Sequence, residues 1–356
     1  MNSKKKILIL NKKQFGYLTD TYKYCQYNDE LLDITFICFD SGYKKLNSSN
    51  TNIIYLSNKG NFLTKGIRFF KESIKENCKG NYDIVFMVYF PMISIIKMFI
   101  NTPSILDIRT GSINPNKFKR TLHNKILKFE SLFFKRISII SESLVEYLTL
   151  NKTKTEILPL GADFLSFKDK NMQDLKLFYV GTFNNRNISD TIKGLRHFMD
   201  SNPDVALTYD IVGYGNKHEE DLITESIVKN NLTNVVSFHG RKNNEECKNL
   251  FEKCNVGVSY VPINDYYDCQ PPTKTFEYLM SGMLCVATNT RENSRIINPK
   301  NGVLCSDNPI DFSQALLEVY NKRFDFSYES LLQNYKEYSW QKIAQNFNSI
   351  IINYAN

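Results

Sequence analysis

Two doubly wound α/β domains, each on an open parallel sheet, are the fold that the sequence predicts, and three observations predict it. The chain has 356 residues, too long for one compact core and long enough for two. Short β-branched and aromatic runs alternate with longer stretches of helical period, as in βαβ units. The alternation halts at a polar stretch near residue 170 and then restarts.

In the first half the strand-like runs are "KILIL", "DITFICFD", "TNIIYL", "YDIVFMVYF", "SILDIR", "RISIIS" and "TEILPL". Several are apolar throughout, as expected of parallel strands covered on both faces. Segments such as "FLTKGIRFFKESIKENC" between them have apolar residues at helical spacing. The second series is "KLFYVGTF", "ALTYDIVGYG", "NVVSFHG", "CNVGVSYV" and "MLCVATN". The polar stretch 167–174 is the expected linker, which gives Rossmann-like domains over 1–168 and 169–335. The tail 336–356 reads as an amphipathic helix with Trp340, Ile343, Phe347 and Ile350 at steps of three and four, expected to return towards the first domain.

Composition narrows the class. With 42% hydrophobic and 23% charged residues, the chain is an ordinary globular protein rather than a disordered one. Eight cysteines (Cys25, Cys38, Cys78, Cys247, Cys254, Cys269, Cys285, Cys305) form no CxxC pair and read as reduced, mostly buried thiols of a cytosolic protein. His123, His197, His218 and His239 lack ligand spacing, so no metal is expected. The start "MNSKKKILIL" reads as a first buried strand, because its apolar part is too short for a signal peptide and no small-residue cleavage site follows. The run "YFPMISIIKMFI" contains Pro91 and Lys97 and falls short of the roughly 20 residues of a spanning helix. Charge is uneven: 25 Lys and Arg against 14 Asp and Glu over 1–165, and 20 against 23 over 166–356, hence +11 and −3. The first half is expected to meet an anionic partner.

Ligand loops of parallel sheets follow strand ends. In "YVGTFNNRN", Gly181 lets the backbone approach a ligand and Arg186 can pair with a diphosphate; a strand-exit turn with a solvated arginine is the plainer reading. Gly213 in "IVGYG", and Gly240 with Arg241 in "FHGRKN", give weaker signals that plain turns also explain. The stretch 271–290, "PPTKTFEYLMSGMLCVATNT", says most. Thr273 can cap a short helix that Gly282 closes. The helix start with Lys274 suits an anion, and Glu277, one turn in, can accept bonds from two sugar hydroxyls. The helix dipole alone accommodates Glu277 but disfavours Lys274; an anionic ligand carrying a ribose suits both.

This stretch resembles the donor-binding signature of the group 1 glycosyltransferases, nucleotide-sugar-dependent retaining enzymes of GT-B fold. "YVGTF", "IVGYGN" and "FHGRKNNEECKNLFEKCNVGVSY" follow in the family's order, and "RISIISESLVEYL", "ILPLGAD" and "EYSWQKIA" are similar to its other segments. The resemblance implies two Rossmann-like domains facing a central cleft, acceptor on the first and nucleotide sugar on the second. It makes Glu277 the second glutamate of the family's E-x7-E motif, a ribose ligand. Where the first would stand the sequence has Cys269, beside Asp268. Thr182 follows Gly181 where the family often has arginine, which leaves Arg186 and Lys193 for the diphosphate. In the first domain, Asp107 and Arg109 of "ILDIRTGS" match the family's strand-end polar groups, with an internal ion pair as the other reading, and Gly16 permits close approach in the loop after the first strand.

The expectation is thus a bacterial hexosyltransferase acting with retention in surface-polysaccharide synthesis (O-antigen or capsule type). Its catalytic groups would be Asp107, Arg186 and Lys274, with Gly181, Gly213, Gly240, Arg241, Thr273 and Glu277 as further donor contacts and Gly16 and Arg109 on the acceptor side. No cofactor, metal or nucleic acid is expected, and no DxD triplet occurs. A nucleotide-sugar 2-epimerase of the same architecture and a non-catalytic sugar- or nucleotide-binding partner are the alternatives. The acceptor is expected to be lipid-linked or an oligosaccharide. The basic first half is expected to place the protein in the cytoplasm, against the anionic inner face of the membrane. Residues 116–137, "NKFKRTLHNKILKFESLFFKRI", carry Phe118, Leu122, Ile126, Phe129 and Phe133 on one helical stripe among seven cations. That helix suits anionic lipid, or alternatively packs its stripe on the first sheet with the charges solvated.

Overall fold

The computed structural model describes residues 4–165, 169–326 and 335–355. The chain divides into two compact units, Met1–Leu160 with Trp340–Asn356, and Gly161–Ser339. Phe167 and Lys168, at the head of the expected linker, lie outside the described residues. The remainder of that stretch is tied to the second unit, since the Asn255 side-chain amide donates to the carbonyls of Asn171 and Asp174, both at 2.7 Å.

The first unit has strands β1 (Lys5–Leu10), β2 (Leu32–Asp40), β3 (Thr51–Ser57), β4 (Ile84–Val88), β5 (Ser104–Ile108), β6 (Arg136–Ile139) and β7 (Thr155–Ile157). They pair in parallel in the order β3-β2-β1-β4-β5-β6-β7. The connecting helices are α1 (Thr19–Asn28), α2 (Phe62–Gly80), α3 (Ile93–Met98), α4 (Lys117–Ser131) and α5 (Glu142–Leu148). Strand β4 is buried at every position and β1 from Ile7 to Leu10, which is why they read as continuous apolar runs.

The second unit has β8 (Leu175–Thr182), α6 (Ser189–Ser201), β9 (Leu207–Tyr214), α7 (Lys217–Lys229), β10 (Val236–Phe238), α8 (Asn244–Lys253), β11 (Val256–Ser259), α9 (Asp265–Asp268), α10 (Thr273–Met280), β12 (Leu284–Thr288), α11 (Arg291–Ile296), β13 (Gly302–Cys305) and α12 (Pro309–Lys322). Its parallel sheet runs β10-β9-β8-β11-β12-β13. Strand β13, "GVLC", was not anticipated; four residues opening on glycine carry too little pattern. Both sheets reverse their strand order once, at β1/β4 and at β8/β11, and open sheets hold ligands at the carboxyl ends flanking such a point.

The last helix, α13 (Trp340–Ala355), belongs to the first unit. Trp340, Ile343, Phe347 and Ile350 are buried in its core, Phe347 stacks on Tyr24 at 4.7 Å, and the Asn28 side chain donates to the Ala344 carbonyl. Seven of the eight cysteines are buried and Cys78 is exposed; all are free thiols.

Helix α4 departs from the usual amphipathic arrangement. Its buried residues are Arg120, Leu127, Glu130 and Ser131, whereas Phe118 is 78% exposed and Leu122, Ile126, Phe129 and Phe133 are exposed too. Packing of the stripe on the sheet, one of the two readings of this segment, is therefore overturned. Asn116 caps the helix by accepting from the Lys119 N–H, and Arg120 turns back to the Asn114 carbonyl at 2.7 Å.

Candidate functional site

At the β8/β11 reversal the two strands pair over only two positions, Val256 with Leu177 and Gly257 with Phe178, and then part. Tyr278 of α10 fills the opening: its hydroxyl accepts from the Val180 N–H at 2.9 Å and lies 3.4 Å from the Val258 carbonyl. Gly257 makes room, since a Cβ there would overlap the Tyr278 ring. A second tie fixes the start of α10. The Thr275 hydroxyl lies 2.7 Å from that of Ser259 and donates to Asn293 Oδ1, whose amide donates to the Thr288 carbonyl. Short-range order in "PPTKTFEYLMSG" thus becomes a helix whose N-terminus is held at the carboxyl end of the sheet.

The structure corrects one detail of this helix. Its N-cap is Pro272, without a side-chain cap bond, and Thr273 is the first helical residue. An N-terminus without a side-chain acceptor presents its N–H groups to an anion more openly than a capped one. Gly282 has φ +70° and closes the helix in the left-handed conformation, as its sequence position implies.

Two cations gather there. The Lys274 ammonium sits 3.8 Å from the centre of the Tyr179 ring, and the Arg186 guanidinium lies 3.9 Å over the Tyr267 ring. Each ring offers its negative π face to a positive charge. Arg186 follows β8 and Tyr267 lies beyond β11 in α9, so this contact spans the strand reversal. Burial, and then the neighbouring Arg186 charge, hold the Lys274 pKa well below its ordinary value. Neither cation has an ion-pair partner within 4.0 Å among the described residues. Gly181, at φ +151°, would bring a Cβ to 3.5 Å from Lys274 Nζ; glycine both adopts this backbone and leaves the ammonium its space.

Glu277 stands one turn into α10. Burial, with Asp163 nearby, raises its carboxyl from the ordinary 4.5 to about 7, against the pull of Lys274. Cys269, at the position of the absent glutamate, is 2% exposed. Its Sγ faces the Asp265 and Tyr266 carbonyls, and burial pushes the thiol up to about 12. Asp268 accepts from the Arg291 N–H at 2.7 Å.

The remaining residues singled out from the sequence have the following surroundings. Gly213 pairs with Gly181 across β8 and β9, and a Cβ on it would overlap the Gly181 carbonyl oxygen. Gly240 has φ +66° with open space around it, and Arg241 is exposed, 4.5 Å over Tyr214. Lys193 is engaged by Asp190 at 2.8 Å. In the first unit, Gly16 turns at φ +90° against Leu46. Arg109 and Asp107 form the internal ion pair at 3.0 Å. Arg109 also reaches Asp20, the Tyr24 hydroxyl and the Leu158 carbonyl, while Asp107 accepts from Ser138 at 2.7 Å. Asp107 is fully buried, and that burial raises its carboxyl despite Arg109. This cluster ties β5 to α1, β6 and the exit of β7. Among the described residues no group of three or more His, Cys, Asp or Glu is placed to hold a metal ion, and no helix is long and apolar enough to cross a membrane.

Residues 174–322 match the family described as Glycosyl transferases group 1. Among solved structures, sucrose-phosphate synthase from Thermosynechococcus elongatus superposes with a TM-score of 0.76 at 13% identity, covering 98% of this chain and 99% of that one. Anabaena HepE in complex with UDP gives 0.74 at 12% identity, covering 99% and 100%. A glycosyltransferase from Rickettsia africae gives 0.71 at 12%, covering 98% of each. At such identities the likeness speaks for the fold alone, which is GT-B. No curated protein matches the sequence. A sugar-transferring enzyme is the class that fold and family match define. The matched region lies within the second unit, and it is this unit that is similar to the group 1 glycosyltransferases.

Proposed function

We propose that the protein transfers a sugar from a nucleotide-sugar donor, bound at the β8/β11 reversal, to a lipid-linked acceptor of surface-polysaccharide synthesis, with retention at the anomeric carbon. The observation that carries the donor assignment is the pair of cations, Lys274 and Arg186, held close on aromatic faces without an ion-pair partner within 4.0 Å among the described residues. Two uncompensated charges raise each other's cost in a partly desolvated site, and a diphosphate relieves both. Glu277 takes the ribose hydroxyls, and the N–H groups at the start of α10 complete the anion site. A UDP complex of the structurally similar Anabaena HepE supports a nucleotide ligand.

As the bond from the sugar's anomeric carbon to the diphosphate oxygen breaks, Lys274 and Arg186 stabilise the charge gathering on the leaving group. The acceptor hydroxyl oxygen bonds to that carbon on the face the diphosphate leaves, and its proton passes to the departing phosphate oxygen. No protein carboxylate need act as nucleophile. Retention rests on the group 1 resemblance, and the anomeric configuration of the product read by NMR decides it. The lipid side of the reading is supported by the basic first half and the exposed apolar stripe of α4.

Thermal melts with a panel of UDP-, GDP-, ADP- and dTDP-sugars test the donor assignment. One nucleotide should raise the melting temperature, because ligand bound only to the native state stabilises it by mass action. Absence of stabilisation by every nucleotide at millimolar concentration overturns the assignment.

A further inference from the structure

The first sheet has its own strand reversal, at β1/β4. Lys12 lies two residues past the end of β1, and Phe90 two residues past the end of β4. The Lys12 ammonium is 3.7 Å from the centre of the Phe90 ring and about 6 Å from those of Phe69 and Phe62. A cavity of about 350 Å³ opens here between α2 and α3, with Lys12 the one charged residue among otherwise apolar walls that include Phe62, Ile67, Phe70 and Phe99. That volume lies at the lower end of the range for small-molecule sites. Lys12 has no ion-pair partner within 4.0 Å among the described residues, and burial holds its pKa below the ordinary value against the pull of the more distant Glu130 carboxylate.

One wall is thinned by Gly66. It sits inside the 19-residue helix α2, where glycine destabilises relative to alanine. A Cβ there would meet nothing within 4 Å, so packing does not require the glycine. What it leaves open is the cavity. The mouth is lined by exposed apolar side chains: Leu63 is 67% exposed, Phe62 64% and Phe99 62%. Helix α3 joins this surface to α4, through a 3.0 Å hydrogen bond from Ser94 to Glu130. An apolar surface of this extent marks an interaction site.

We propose that this slot holds the apolar chain of the acceptor, an amphiphile whose chain ends in an anionic phosphate, with Lys12 at the phosphate and Gly66 keeping the chain's path open. The inference rests on the transferase reading and deepens it by naming the acceptor's chemical class. Charge complementarity selects this occupant. A neutral chain would leave the Lys12 ammonium without a direct ion-pair partner among aromatic rings, and a free phosphate would leave the aromatic walls exposed to water.

Calorimetry with monomeric decyl phosphate, decyl maltoside and inorganic phosphate tests the proposal on the full chain. Decyl phosphate should bind at least tenfold tighter than decyl maltoside, and inorganic phosphate not measurably at the same concentration. Gly66→Leu should abolish binding of both decyl compounds, while Gly66→Ala keeps it. Lys12→Met, which leaves helix α2 untouched, should erase the preference for the phosphate head. Nucleotide stabilisation should be unchanged in all three variants. Decyl phosphate binding that survives Gly66→Leu, or a headgroup preference that survives Lys12→Met, overturns the proposal. So does a wild-type protein that binds anionic vesicles but no monomer, for then the apolar walls meet only the bilayer. Amphiphile binding in a protein that no nucleotide stabilises supports the slot and overturns the donor assignment instead.

Discussion

At the scale of single residues, the second unit buries Lys274 and Glu277 where their charge is costly. A diphosphate beside Lys274 favours the ammonium, so nucleotide binding should take up a proton, and affinity should fall as pH rises. Calorimetry in buffers of different ionisation enthalpy reads that uptake directly. Lys274→Ala and Arg186→Ala should each weaken the nucleoside diphosphate ten- to a hundredfold, about 1.5–3 kcal/mol for a charge-assisted bond, and leave the nucleoside unaffected. Equal losses for nucleoside and diphosphate would place the two cations away from the diphosphate. Glu277 carries a second pH signature. Its folded value of about 7 lies above the ordinary 4.5, so its contribution to stability is full below about 4.5 and is lost as pH rises through 7. Glu277→Gln removes that loss. The variant should match the wild type in melting temperature near pH 4.5 and exceed it increasingly up to pH 8, while binding nucleotide at least tenfold more weakly. A melting difference independent of pH would show that the carboxylate is not held in the way described.

At the scale of elements, what was legible in the sequence depended on whether function and local order coincide. Twelve of the thirteen strands stand out as β-branched or aromatic runs, and the start of α10 with Lys274 and Glu277 is readable because both residues lie within one helix turn. Tyr179, Tyr267 and Tyr278 were not readable. Each looks like an ordinary strand or helix aromatic, and its role depends on β8 and β11 parting, which no local pattern encodes. Asp107 and Arg109 have the converse history: their i, i+2 spacing on a strand suits a site and a buried ion pair equally, and only the placement of Asp20, Tyr24 and Ser138 around them decides for the pair. Helix α4 is the element where sequence and structure together say more than either alone. The stripe is visible as periodicity, but its exposure is not. Replacing Lys117, Lys119, Lys125 and Lys128 with Gln should abolish salt-sensitive binding to vesicles containing anionic lipid, each cation being worth about 1 kcal/mol near the surface. Phe118→Ser with Phe129→Ser should weaken the binding that remains at high salt. Arg120 is not part of this set, because its guanidinium is spent on the Asn114 carbonyl. Vesicle sedimentation unchanged in the fourfold variant would remove α4 from the attachment surface.

At the scale of the whole molecule, the chain begins and ends in the same unit. The core of the first unit is closed by residues from the far end of the sequence: the Asn28 side chain meets the Ala344 carbonyl, and Tyr24 and Phe86 meet Phe347. The folding of the first unit therefore waits for the second to be synthesised, and the first unit's stability depends on residues that follow the second unit in sequence. Phe347 is fully buried against two aromatic rings, so Phe347→Ala should cost about 3–5 kcal/mol, the range for deleting a large buried ring and leaving a cavity. The second unit has its own core, from Leu175 to Val319, to which Phe347 does not belong. The loss should therefore appear in one part of the unfolding transition only. In scanning calorimetry of Phe347→Ala, a low-temperature component should separate from a component that stays near its wild-type position and still shifts upward with the stabilising nucleotide. Loss of that nucleotide-dependent shift, or a single transition that moves down as a whole, would show that the two units unfold as one and that α13 supports the donor site as well as the core it enters.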